Sequence, residues 1–270
     1  MKLFLLFFLT CIFLSVSAQN MPFDSLLKKG KEEFYNSSEE KPGYNSAIKY
    51  LEAAVKLNPN SSEAYYFLGY AYSRKNSFDG RSIGAMQLNL VIKASEALER
   101  VIKLTPLYTG ESVVLDPYSK ISSEWGSLAL SYYNSNKIDS AKWAFTQGKK
   151  RGGFDDFILS VNREIIKSCT QKAILITSGD NYTLPLHYLQ IVEGLRKDVS
   201  LIDVSLLNTV WYPQLLISNS LITFDEPKSV IDTVEYRLWK EKIITISDAK
   251  SNKKFSWLVK PAYEKQYMLR

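Results

Sequence analysis

The chain has 270 residues, 46% of them hydrophobic, and a formal net charge of +6 at pH 7. That length suffices for one large domain or two ordinary ones, and Lys and Arg alternate with Asp and Glu along helices, which excludes a nucleic-acid-binding arm. One histidine and two cysteines exclude a His-based metal cluster, and a mature chain keeping only Cys169 has no internal disulfide.

Lys2, the apolar run Leu3–Leu14 and the small residues Ser15–Ala18 predict a secretory signal peptide over 1–18. Cys11 lies inside the apolar run after Thr10, without the small neighbour that a lipid-attachment site needs. After Ala18 no uninterrupted apolar run reaches the roughly 18 residues of a membrane span. The chain is therefore expected to be exported.

Residues 19–153 read as antiparallel helical hairpins. Phe23–Tyr35 carries Leu26, Leu27 and Phe34 at helical spacing and predicts a first helix, followed by a loop over Ser37–Tyr44. Later first helices read Tyr65-x-x-Leu68-Gly69-x-x-Tyr72 and Trp125-x-x-Leu128-Ala129-x-x-Tyr132. Second helices carry Ala47, Leu51 and Ala54, then Ala94, Leu98 and Val101, then Ala141 and Phe145. Pro59 and Pro106 each follow their alanine by twelve residues. This pattern resembles tetratricopeptide repeats, in which small residues let helices approach and aromatics and leucines fill the layers. The resemblance implies a groove that takes a protein or peptide, with Trp125 as core.

Thirteen extra residues lie between Tyr72 and Ala94, and thirteen between Pro106 and Trp125. In the first gap Ile83, Met86 and Leu90 continue the apolar stripe, predicting a second helix that starts early and projects about 20 Å further. In the second, Asp116–Pro117 predicts an N-cap and a helix that starts early. Lys149, Lys150 and Arg151 before Gly152–Gly153 read as a cationic helix end with a glycine stop. The next helix carries Ile158, Val161 and Ile165 and ends at Cys169, expected to be buried and inert.

Residues 154–270 read as a small α/β domain with a mainly parallel sheet, giving an α + α/β chain. A buried-type strand, Ala173–Thr177, leads through Gly179-Asp180-Asn181 into a helix with Pro185 in its first turn, then to a strand at Val199–Val204. Ser205–Asn208 leaves at the same sheet edge, where ligands bind in open parallel sheets. Asp180 and Asn181 have two readings: helix caps, or, with Asp203 and Asn208, a polar pocket for sugar hydroxyls or a cation. Trp211-Tyr212-Pro213 opens a short helix through Asn219. Two more strands, Lys242–Ser247 and Phe255–Val259, are available to extend the sheet. The apolar end, Tyr267–Arg270, either closes the sheet or leaves the domain incomplete.

Gly179-Asp180-Asn181, Pro185-Leu186, Tyr188-Leu189-Gln190, Glu193-Gly194, Arg196, Asp198-Val199, Ser205–Asn208 and Trp211-Tyr212 together resemble the soluble segment of bacterial protein O-mannosyltransferase-like membrane proteins. The resemblance spans Ala173–Leu216. It implies a location in the periplasm or cell envelope of a bacterium and a shared accessory domain rather than sugar transfer, which in that family belongs to the membrane part.

His187 is the sole histidine, and no G-x-S-x-G elbow accompanies it, so it is not expected to act as a catalytic base. Phosphate-binding glycine loops are absent from the sequence, and no cofactor or metal is expected. The leading expectation is an exported scaffold that docks a protein partner. The other is a glycan-acting enzyme, or a subunit acting on glycoproteins, with Asp180 and Asp203 as acid/base groups or cation ligands.

Overall fold

The computed structural model describes residues 21–37, 44–77, 83, 86–209, 211–219, 227, 229, 242–247 and 254–259. The expected signal peptide, most of the loop after Ser37 and the terminal stretch Tyr267–Arg270 lie outside the described residues. The chain divides into two compact units, Met1–Asp203 and Val204–Arg270. The strand–helix–strand element thus shares a unit with the helices before it, whereas the expected grouping, with its boundary at 153, placed it with the residues that follow.

The first unit opens with three helix pairs: α1 (Phe23–Asn36) with α2 (Tyr44–Leu57), α3 (Ser62–Ser77) with α4 (Leu88–Leu104), and α5 (Pro117–Asn134) with α6 (Ile138–Lys150). One packing rule recurs in all three. The second helices bury Ala47-Leu51-Ala54, Ala94-Leu98-Val101 and Ala141-Phe145-Gly148, all but the glycine being fully shielded at 0% exposure. A Cβ on Gly30 would lie 2.7 Å from Leu51 Cγ, and one on Gly69 would lie 2.8 Å from Leu98 Cγ. Close approach therefore selects glycine at the same place in two first helices. Leu68, Tyr72, Leu128 and Ala129 are buried, while Tyr65 and Tyr132 are half-buried. Trp125 is 1% exposed. Its indole N–H donates to Ser95 Oγ at 3.0 Å, and the Arg151 guanidinium lies 5.3 Å from its ring centroid.

Helix boundaries follow local chemistry. Asp116 accepts from the N–H groups of Tyr118 (2.9 Å) and Ser119 (3.1 Å), with Pro117 at the first helical position of α5, as expected. α6 stops where Gly152 adopts φ +97°, and Gly153 N–H returns to Gly148 O at 3.0 Å while Gly152 N–H returns to Lys149 O at 3.2 Å. Lys149 pairs with Asp156 at the start of the next helix, and Arg151 with Glu99 on α4, so acids hold two of the cluster's three cations.

The early start expected for α4 is not found. That helix begins at Leu88, because the Asn76 side chain accepts the Gln87 N–H (2.8 Å) and donates to the Gln87 carbonyl (3.2 Å), fixing an extended residue just before it.

α7 (Asp156–Ser168) is capped by Asp155 and packs on α8 (Asp180–Ile191). Its buried face is Leu159, Asn162 and Ile166; Val161 is exposed, Ile158 and Ile165 are half-buried, and so is Cys169, which was expected to be buried. β1 (Ile174–Thr177) pairs in parallel with β2 (Ser200–Asp203), Thr177 opposite Asp203. β1 is not the buried strand its composition suggests: Ile174 is 56% and Ile176 66% exposed, while Leu175 and Thr177 alternate to the covered side. α8 also packs on α5, and a Cβ on Gly126 would meet Leu184 Cδ1 at 2.8 Å.

Among its described residues the second unit contains a 3-10 turn (Leu206–Asn208), α9 (Trp211–Ser218) with Tyr212 and Leu216 buried, and an antiparallel hairpin of β3 (Lys242–Ser247) and β4 (Lys254–Val259). Among the described residues these strands form their own two-stranded sheet instead of extending β1–β2. No helix among the described residues is long and apolar enough to cross a membrane.

Candidate functional site

At the end of β1 the chain turns on Gly179, whose φ is +87°. A Cβ there would meet nothing within 4 Å, so backbone conformation and not space selects glycine. α8 starts directly afterwards, with no side-chain cap. Asp180 and Asn181 are therefore exposed residues of its first turn, not caps, although the Asp180 carboxylate is well placed against the helix dipole. Asp203 has a different environment. It is 3% exposed and accepts a hydrogen bond from the Thr183 hydroxyl. Thr183 and Thr177 hydroxyl oxygens lie 2.7 Å apart, and Thr177 Oγ1 lies 3.3 Å from the Ile202 carbonyl. With the Thr183 proton given to Asp203, the single Thr177 proton is shared between Thr183 and Ile202. Asn208 belongs to the second unit, on its 3-10 turn.

One turn beyond Thr183, His187 is buried, and its Nε2 has no hydrogen-bond partner. Desolvation pushes its pKa down to about 4, opposed by the negative charge of Asp203. The ring is neutral at pH 7. Among the described residues no three His, Cys, Asp or Glu side chains form a metal-binding group.

Most of the remaining motif residues hold the backbone. Pro185 lies inside α8 and not in its first turn, since the helix begins five residues before it. Its missing N–H deprives the Asn181 carbonyl of a helical partner. Asn162 on α7 supplies the replacement: its Nδ2 donates to Asn181 O at 3.1 Å and to Ile158 O at 2.9 Å. Arg196, in the left-handed region at φ +44°, donates to the carbonyls of Ile166 (3.1 Å), Cys169 (2.9 Å) and Thr170 (2.9 Å), closing the end of α7. It also grips Asp198 through two nitrogens, at 2.8 and 2.9 Å. The Arg196 hydrogen bonds, then the Lys172 N–H, hold the Asp198 carboxyl below the usual carboxylate range. Arg163 pairs with both oxygens of Glu193, and Gln190 Nε2 donates to the carbonyls of Arg196 and Val199.

The proline–asparagine arrangement makes a quantitative prediction. Asn162→Ala is expected to cost about 1–3 kcal/mol by orphaning the Asn181 carbonyl. Pro185→Ala in the same chain returns an N–H to that carbonyl and should recover part of the loss. A denaturant-melt double-mutant cycle checks it, and additive effects would refute the pairing.

A second candidate surface lies on α1 and α3. The irregular segment 105–116 crosses both helices. Tyr66 Oη accepts the Val113 N–H (3.0 Å) and donates to Leu115 O (2.7 Å). Tyr70 Oη accepts the Leu115 N–H (2.6 Å) and donates to the same carbonyl (3.0 Å). The Glu111 carboxylate accepts from Tyr35 Oη at 2.6 Å and pairs with Lys31, which also bridges to Glu63 at 2.5 Å. Tyr108 stacks on Tyr66 with centroids 4.6 Å apart. Beside this contact an open groove of about 560 Å³ is lined by Leu27, Lys28, Lys31, Glu32, Tyr35 and Glu63.

The sequence marks an insertion between Pro106 and Trp125 but neither its course over α1 and α3 nor the role of Asn162. The available signals were a lone asparagine between Leu159 and Ile166, and two tyrosines one turn apart on α3.

Residues 159–258 match the family model described as TMEM260-associated domain 2. The match covers just over a third of the chain, beginning in α7 and ending in β4. No curated protein matches the chain.

Proposed function

We propose that the helical unit is a tetratricopeptide-type array, and that the protein is an exported envelope scaffold docking a protein partner on the α1/α3 side of its helices. The observation that carries this reading is the threefold recurrence of the small–large packing, with glycine under Leu51 and under Leu98. The β1–α8–β2 element is an accessory that stiffens the end of the array: its motif residues are largely committed to backbone carbonyls and local ion pairs.

A second reading, a subunit of a protein-glycosylation system, is favoured by the family match over 159–258 and agrees with the O-mannosyltransferase-like resemblance of Ala173–Leu216. Asp180 and Asn181 are then the exposed polar contacts for a glycan or glycoprotein. Asp203, already bonded to Thr183, is a poor second carboxylate for it.

Cross-linked affinity purification from the native envelope separates the two. Lys31→Glu with Tyr35→Ala is expected to abolish recovery of the partner, while Asp180→Ala with Asn181→Ala leaves it intact. The reverse dependence, with a glycoprotein lost on the Asp180 and Asn181 changes, would establish the second reading.

A further inference from the structure

The segment joining α4 to α5 is longer than the repeat requires, and its contacts differ in kind from core packing. Two of its apolar side chains, Leu107 and Val114, are 84% and 70% exposed, while Val113 and Leu115 are half-buried. Its polar and ring contacts with α1 and α3 run through main chain, one ring and one carboxylate. The Tyr66 and Tyr70 hydroxyls take two N–H groups and one carbonyl from residues 113–115, a readout indifferent to side-chain identity. Tyr108 lies flat on Tyr66, and Glu111 occupies the cationic corner made by Lys31 with the Tyr35 hydroxyl. Main-chain hydrogen bonds that supply adhesion and a few side chains that supply selection are the terms on which proteins hold extended peptides. Lys31, Tyr35 and Glu63 also line the adjoining open groove, so the surface continues past the segment.

We propose that this α1/α3 face is the docking surface for an extended stretch of a partner protein that carries one carboxylate, and that residues 105–116 occupy it in cis as a displaceable strap. The inference rests on the docking reading above and adds the partner's chemistry and a regulatory step. An incoming segment needs a carboxylate for Lys31 and Tyr35, followed by exposed main chain for Tyr66 and Tyr70. Tethering sets the strength of self-occupancy. A short connection gives an effective concentration of about 1 mM, so a surface binding a free peptide at about 100 μM is about tenfold masked by its own strap.

The test uses the full chain and, as probe, a fluorescent synthetic peptide with the sequence of residues 107–117, followed by anisotropy. Glu111→Ala with Val113→Pro removes the carboxylate and one donated N–H, and hydrogen exchange at the Leu115 amide reports whether the strap has lifted. The expected result is faster exchange and about tenfold tighter peptide binding than the unaltered chain, abolished when Lys31→Met and Tyr35→Phe are added. A lifted strap with no gain in binding, a gain indifferent to Lys31 and Tyr35, or a Leu115 amide that stays protected each overturns the proposal. Because the peptide replaces the cellular partner, an envelope purification that recovers nothing would count against the docking reading alone. Equal partner recovery by strapped and released chains would count against the strap alone.

Discussion

Lys120→Met is expected to destabilise the helical unit by about 3–5 kcal/mol, a large part of an ordinary domain's stability. Lys120 and Glu124 face each other at 2.9 Å across one turn of α5, with side chains only 8% and 2% exposed. The same carboxylate oxygen accepts from Ser73 at 2.5 Å, and the Lys120 ammonium lies 5.0 Å from the Tyr70 ring centroid. The other carboxylate oxygen of Glu124 has no hydrogen-bond partner. Removing the lysine strands a buried anion with one hydroxyl for company, which costs far more than the pair contributes when intact. Lys120→Met with Glu124→Leu should therefore recover most of the loss, since two apolar side chains avoid desolvating any charge. Denaturant unfolding followed by far-UV circular dichroism measures all three chains. A small penalty, or a double change no more stable than the single one, would mean that the pair is not held away from water.

Stability should fall by about 3 kcal/mol as the pH is lowered from 6.5 to 4, through His187 alone. The unfolded chain takes up this proton near pH 6.5, whereas the buried ring, lacking a partner at Nε2, resists it until about pH 4. Between those values the unfolded state binds more protons, so acid favours it; above pH 6.5 the contribution is fully present, and below about pH 4 it is gone. With one histidine in the chain, the slope between pH 5 and 6.5, above ordinary carboxylate titration, reads this residue with little interference. His187→Gln should flatten it. A slope that survives the substitution would place the titrating group elsewhere.

The helix pairs were legible because their packing rule is periodic: Ala47, Ala94 and Ala141 mark equivalent buried positions, and Asp116–Pro117 and Gly152–Gly153 are local stop and start chemistry. The strand–helix–strand order was legible too, through alternation and turn residues. What escaped were features set by contacts distant in sequence. The start of α4 depends on Asn76 reaching Gln87, the buried face of α7 on Asn162 reaching Asn181, and the course of residues 105–116 on tyrosines about 45 residues earlier. β1 misled because Ile174 and Ile176 have the composition of a buried strand in a sheet that leaves one side of it exposed. For the candidate site, the sequence brought Asp180, Asn181 and Asp203 to one sheet edge but could not divide them into an exposed turn and a buried carboxylate.

The amide of Asn162 bonded to the carbonyl that Pro185 leaves without a donor also constrains how these two positions can change over evolutionary time. Losing the asparagine first strands a carbonyl. Losing the proline first does not, and thereafter the asparagine is free to drift. Substitutions at the pair should consequently accumulate in one order, proline before asparagine, and lineages that keep the proline should keep the amide with it.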